Sequence, residues 1–211
     1  MFYLGNSCLS SSKRWLERHR NDQYVKKANK LGLRSRAAFK LIEIQEKYRF
    51  IASHDTLLDL GSAPGSWSEA CLEWTKSGKI IACDLLNMPP ISGINFIQGD
   101  FTNRDIQTKI LDLCHHNVDV IISDMSPNKT GIKKVDQWQS TALSESLLYF
   151  AEQNLKPGGN LLFKSFHGDG FEDIIKQCRS MFKSVKSIKP DASRKISTEI
   201  FLLCLEKKTN P

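Results

Sequence analysis

Two lysines and two carboxylates stand where a folding chain does not ordinarily leave charge. Lys164 closes the apolar run GGNLLFKSF, Asp124 closes VDVIISDMSPN, Glu199 enters STEIFLLC, and Lys40 lies beside the apolar face of RSRAAFKLIEI. Each alone reads as a charge at an element's end, in water. Brought to one sheet edge, the four make a set able to take a proton from a weakly acidic alcohol. A lysine serves as base when its pKa falls, and burial beside a second cation lowers it, which gives Lys40 a role as neighbour of Lys164. Asp124 and Glu199 push the other way, so they orient the lysines. Whether Lys164 accepts the proton or steers the hydroxyl lone pair stays open, because positioning alone supplies much of a rate.

The reacting partner is suggested by LLDLGSAPGSW, residues 57–67. Gly61 and Gly65 let the backbone turn tightly and approach a ligand, Pro64 stiffens the turn, and the N–H groups of the following helix point outward. Asp84 ends IIACDLL about 20 residues later, where a nucleotide-binding sheet presents an acid to ribose hydroxyls. Asp100 ends INFIQGDF, placed to accept from an adenine amino group. The loop reads G-x-A-P-G-x-W rather than G-x-G-x-x-G, so it lacks the spacing that admits a pyrophosphate, and NAD is the weaker choice. S-adenosylmethionine, with ribose and adenine but no phosphate, fits better. Moving its methyl to a ribose hydroxyl needs in-line approach and loss of the alcohol proton.

These residues need a scaffold that gathers strand ends. Short apolar runs predict strands at 56–60, 79–84, 95–97, 118–123, 160–165, 185–189 and 199–205. Helices are predicted at 66–76, 104–114, 137–154 and 170–182, after two in the first fifty residues, 13–29 and 35–48, separated by Gly32. Ala38, Leu41, Ile42 and Ile44 give the second its apolar face. Alternation of this length implies βαβ crossovers and an α/β, doubly wound, Rossmann-like sheet of seven strands. The last two strands leave no room for a helix between them, so one runs antiparallel.

At 211 residues the chain fits one domain, and 40% hydrophobic with 25% charged residues is ordinary for a soluble globular protein, as is a mean hydropathy of −0.34. No apolar run is long enough to span a bilayer. Cys8, Cys71, Cys83, Cys114, Cys178 and Cys204 are scattered without metal-ligand spacing, which reads as reduced thiols and no metal. The first fifty residues hold 12 Lys or Arg against 4 Asp or Glu, and the other 161 hold 18 against 19. A basic arm on a neutral body suits a polyanion, most often nucleic acid. Its opening, with Ser, Arg and few acids, faintly resembles a mitochondrial transit peptide.

In order and over nearly the whole chain, KRWLERHRNDQYVKKANKLGLRSRAAFKLIEI, LDLGSAPGSWSEA, IIACDLL, FIQGDF, VDVIISDMSPNKTG, LKPGGNLLFKSF and IKPDASRKISTEIFLLC resemble the FtsJ/RrmJ family of ribosomal RNA large subunit 2′-O-ribose methyltransferases. SRAAFKL and KP-x-ASR-x-x-S-x-E are the most specific, because the fold alone demands neither. The resemblance implies a Lys-Asp-Lys-Glu tetrad on Lys40, Asp124, Lys164 and Glu199, with Lys164 as proton acceptor. It also implies cofactor contacts at Gly65, Trp67, Asp84, Asp100 and Asp124. The implied substrate is a uridine ribose in the large subunit's RNA, modified in assembled subunits, with the enzyme a cytoplasmic monomer or, alternatively, mitochondrial.

Lys26, Lys27, Lys30, Arg34 and Arg36 are then expected to hold RNA phosphates, with Arg194 and Lys195 extending that surface. Two positions depart from the family: Phe201 where relatives commonly carry Tyr, and Ser66 where many read Gly. A non-catalytic assembly factor would show erosion of the tetrad, and none is seen. Relatives acting on tRNA or mRNA caps tend to carry extensions that this near-minimal chain lacks. A DNA amino-methyltransferase would want Pro-Pro-aromatic where DMSPN stands.

Overall fold

The computed structural model describes residues 22–127, 130–194 and 197–209. Two helices come first, α1 (Gln23–Leu31) and α2 (Ala38–Tyr48). Asp22 caps α1 by accepting from the Tyr24 and Val25 N–H groups, and Gly32 ends it in the left-handed region at φ 71°. The part of the expected first helix before residue 22 lies outside the described residues. Helix α2 starts three residues later than expected, because the Ser35 hydroxyl accepts from the Ala37 N–H and holds that stretch as a turn.

The strands are β1 (Thr56–Leu60), β2 (Lys79–Asp84), β3 (Ile94–Gln98), β4 (Val118–Ser123), β5 (Leu155–Phe166), β6 (Phe182–Ile188) and β7 (Glu199–Lys207). They form one sheet in the order β3-β2-β1-β4-β5-β7-β6. β1 pairs in parallel with β2 (Leu58↔Ile81) and with β4 (Leu58↔Ile121). The strand order reverses there, and in such sheets ligands bind beyond the strands' carboxyl ends at that reversal. β7 runs antiparallel between β5 and β6 (Lys164↔Phe201, Ile188↔Phe201), so the expected antiparallel strand is real and inserted rather than at the edge.

Helix α3 (Ser66–Cys71) ends well short of the expected residue 76. Its continuation tightens into three-residue bonds, Leu72 N–H to Glu69 O, Glu73 to Ala70 and Trp74 to Cys71, as the chain turns back to Gly78 packed against the Asp55 carbonyl. Helix α4 (Arg104–Cys114) is as predicted. Helix α5 (Lys133–Asn154) starts a turn earlier than predicted, where Asp136 Oδ1 accepts from the N–H and hydroxyl of Thr130. Helix α6 (Phe171–Met181) passes straight into β6.

Two apolar layers clamp the sheet. On one face Leu41 and Ile44 of α2 and Trp67 and Cys71 of α3 meet Leu57, Ile122 and Leu203. On the other, Ile110 of α4, Leu147 and Phe150 of α5 and Ile174 of α6 meet Leu58, Ile121 and Phe163. Cys71, Cys83, Cys114, Cys178 and Cys204 are free and buried. Burial pushes the Cys83 thiol up to about 12 and the Cys114 thiol to about 11, so neither is a nucleophile near neutrality. Among the described residues no helix is long and apolar enough to cross a membrane.

Candidate active site

The structure brings the four charged residues together at the carboxyl edge. Lys164, near the end of β5, donates from Nζ to the Asp124 main-chain oxygen at 2.5 Å, and Nζ lies 3.1 Å from Asp124 Oδ1. Lys40 Nζ lies 3.0 Å from Glu199 Oε1 and 3.8 Å from the same Asp124 oxygen. The tetrad is a continuous chain of opposite charges, Glu199, Lys40, Asp124, Lys164. Lys40 tolerates burial on the apolar side of α2 because Glu199 meets it there and the Phe201 ring lies under it, 5.2 Å from Nζ to centroid. Burial pushes the Glu199 carboxyl up, but the Lys40 ammonium, its hydrogen bond and the more distant Lys164 outweigh that and hold it below the usual range.

The tetrad opens into a cavity of about 420 Å³ lined by Lys40, Lys164, Glu199, Arg36, Arg194 and Ser126, among others. Arg36 forms an ion pair with Asp22 and donates to the Ala192 carbonyl; Arg194 Nε lies 3.8 Å from Asp22. Burial, and then the charge of Arg194, lower the Arg36 pKa. Two arginines sharing one aspartate leave a positive excess at the mouth, which suits a phosphate. Lys26, Lys27 and Lys30 are exposed along α1 and form no ion pair among the described residues. Lys195 lies outside the described residues.

Arg34 is placed differently from its expectation. Its guanidinium donates to the carbonyls of Pro64 (3.1 Å), Pro89 (3.1 Å) and Pro90 (3.2 Å). Nε lies 3.8 Å from Glu69. A fork occupied by three backbone acceptors has little left for a phosphate; it ties the segment before α2 to the loops after β1 and β2. Ser66 adds a second tie, its hydroxyl bonded to that of Ser35 at 2.6 Å, a contact that glycine lacks.

Around the glycine loop, Gly61 (φ +77°) and Gly65 (φ +101°) hold conformations that side chains rarely adopt. A Cβ on Gly61 would come within 2.1 Å of Met125. Asp84 Oδ2 accepts from the Ala63 N–H at 2.9 Å and Oδ1 from that of Leu86 at 2.7 Å, fixing the acid at the strand end beside exposed Leu85 and Leu86. Asp100 is exposed on the neighbouring loop, one oxygen accepting from the N–H and hydroxyl of Thr102. The set offers carboxylate acceptors and apolar surface, while the nearest guanidinium is already engaged by carbonyls. That donor set suits a nucleoside with free hydroxyls and an amino group and no phosphate.

Trp67 is placed in the core. Its indole is 3% exposed, donates from Nε1 to the Ala37 carbonyl at 2.9 Å and packs on Phe201, centroids 5.7 Å apart. The side chain therefore braces α2, and with it Lys40, and leaves only main-chain atoms for a cofactor. Phe201, buried between Lys40 and Trp67, fills its place as a ring without a hydroxyl.

Sequence reasoning missed Asp59, one residue before the end of β1. It is 1% exposed and accepts from the Ser68 hydroxyl at 2.5 Å. Burial pushes its carboxyl up to about 7 against that hydrogen bond, with the charges of Asp124 and Asp84 acting in the same sense as burial. The one signal for it was an acid inside an otherwise apolar strand.

A doubly wound sheet with a nucleoside-binding loop, two strand-end acids and a lysine–carboxylate chain defines a methyltransferase of the Rossmann-like class. The model of the FtsJ-like methyltransferase family matches residues 33–207, and the chain belongs to that family. It is 46% identical over 200 residues, 94% of this chain and 97% of the relative, to the ribosomal RNA large subunit methyltransferase E of Methylobacillus flagellatus. To the protein of the same name from Francisella tularensis it is 45% identical over 201 residues, 94% and 98% of the two chains. A crystal structure of a putative ribosomal RNA methyltransferase from Plasmodium falciparum superposes with a TM-score of 0.76 at 33% identity, covering 84% of this chain and all of that one. The fibrillarin pre-rRNA processing protein of Methanococcus jannaschii shares the fold, TM-score 0.53 at 15% identity over 76% and 70% of the chains.

Proposed function

We propose that this chain transfers the methyl of S-adenosylmethionine to the 2′-hydroxyl of a uridine ribose in large-subunit ribosomal RNA, acting on the assembled large subunit. The observation that carries the reading is the contact of Lys164 with both the carbonyl and the carboxylate of Asp124, at the rim of the cavity and next to the cofactor loop. Gly61, Gly65, Asp84 and Asp100, the Trp67 main chain and Asp124 hold the cofactor. When bound, it supplies an electrophilic methyl on a sulfonium, whose sulfur leaves as a neutral thioether and needs no acid.

The Asp124 carbonyl accepts one N–H of Lys164 and the Asp124 carboxylate lies 3.1 Å from the same nitrogen as an ion pair, which leaves the other side of the nitrogen for the ribose hydroxyl. Acting as the neutral amine, Lys164 orients the hydroxyl and takes its proton onto the nitrogen lone pair, becoming the ammonium that Asp124 faces, either as the carbon–oxygen bond forms or just after it. Lys40, fixed by Glu199, keeps Asp124 from turning away. Arg36, Arg194 and the lysines of α1 hold the RNA backbone, with the segment up to about residue 50 acting as an RNA-binding arm on one catalytic domain. The relatives' bacterial sources and the free thiols of the described residues support a cytoplasmic location.

Labelled S-adenosylmethionine given with hypomethylated large subunits, free large-subunit RNA and tRNA tests this. The expected product is one 2′-O-methyluridine in the subunit RNA. Label confined to tRNA, or to a base, would contradict it.

A further inference from the structure

We propose that the first turns of α5 form a second RNA contact, in which the Trp138 indole stacks on an unpaired base and Lys133 and Lys134 hold phosphates flanking the target ribose. The inference rests on the reading that the tetrad methylates an RNA ribose. A second cavity, about 530 Å³, adjoins the catalytic one, and Ser126 and Phe166 line both. Lys133 and Lys134 stand on its α5 side and His167 on the other. A chain lying with one ribose at Lys164 therefore has room for its neighbour beside α5, since a cavity of this size takes a ligand as large as a nucleotide.

The helix surface there is built unlike a solvated face. Trp138 is 71% exposed, with Ile132 at 62% and Val135 at 37%. Lys134 and Trp138 are one turn apart, on one side of α5. Neither lysine forms an ion pair among the described residues. Of the acids nearby, Asp136 is turned to Thr130, and Asp169 stands across the cavity on the loop after β5. An exposed indole interleaved with unpaired lysines is the pattern that single-stranded nucleic acid uses, with the ring stacking on bases and the cations meeting phosphates. The His167 ring, packed on Phe171 with centroids 4.6 Å apart, gives the opposite wall a fixed aromatic face.

Trp138→Ala, Trp138→Phe and the double variant Lys133→Ala with Lys134→Ala, in the full chain, test the surface against hypomethylated large subunits. Trp138→Ala should raise KM for the subunit about tenfold, leave KM for the cofactor where it was, and be largely rescued by Phe. The double variant should reduce the slope of log affinity against log salt by about 1 to 2. A benzophenone side chain at position 138 should crosslink to RNA. Unchanged subunit KM in the variants, or crosslinks to ribosomal protein alone, would overturn the inference. A wild-type chain that places no 2′-O-methyl on RNA removes the underlying reading and this surface with it; active wild type with unaffected variants removes the surface only.

Discussion

Lys164 Nζ lies 3.1 Å from Asp124 Oδ1, and Lys40 Nζ lies 3.8 Å from that same oxygen. One carboxylate oxygen thus lies between the two lysines and pairs with the charge of each, while Glu199 holds Lys40 more closely. Asp124→Asn keeps the carbonyl contact to Lys164 but removes the charge between the two ammonium groups, so they separate. The expected outcome is a fall in kcat of about 10²-fold with far-UV circular dichroism unchanged, measured in single turnovers. A loss confined to KM for the RNA would place Asp124 in binding instead.

Glu199→Gln leaves Lys40 buried beside an aromatic ring without its closest anion. Breaking a buried pair from one side costs about 3 kcal/mol, so Tm should fall, and Glu199→Gln with Lys40→Met should recover much of that stability without recovering turnover. The pair's pH dependence follows from the lowered Glu199 carboxyl. Its stabilisation is present above the unfolded carboxylate pKa and is lost as pH falls through the lower folded value.

Arg34 reads as a phosphate contact from its charge and as a fastener from its acceptors. Arg34→Ala should raise KM for S-adenosylmethionine about tenfold, because the loops after β1 and β2 lose a shared donor, and should change subunit affinity less than twofold. Arg34→Lys should not rescue it, since a single ammonium cannot reach three carbonyls from one plane. Calorimetric titration of the cofactor into each variant checks this.

Asp59 gives the fold a pH dependence with the opposite sign to Glu199. Its folded pKa, about 7, lies above the unfolded carboxylate value of about 4, so the native state holds the proton more tightly. Stability contributed by that proton is complete below about pH 4 and is lost as pH rises to about 7. Asp59→Asn cannot ionise, so its stability relative to wild type should grow by about 2 to 4 kcal/mol across that window, read as the difference in Tm at each pH. Parallel profiles would show that Asp59 does not titrate there.

Much of this architecture is legible in the chain. The strands are short apolar runs ended by turn residues, and the four tetrad residues announce themselves as charges at the ends or edges of such runs. What pattern reading loses is contact at a distance. The acceptors of Arg34 lie 30 and 55 or 56 residues away, on main-chain carbonyls that carry no sequence signature. Trp67 adjoins the glycine loop in sequence, but the first turn of α3 carries its side chain into the core, against Ala37 and Phe201. The position of β7 is hidden for a similar reason: its neighbours β5 and β6 are separated by a whole helix.

In the proposed methyl transfer to a ribose hydroxyl, the proton step falls to Lys164. Single-turnover methylation of hypomethylated large subunits by Lys164→Ala, at saturating subunit and cofactor, tests it most directly. The expected rate is at least about 10²-fold below wild type, with cofactor and subunit affinities retained. A rate within a few-fold of wild type, with the methyl still on a 2′-oxygen, would contradict it.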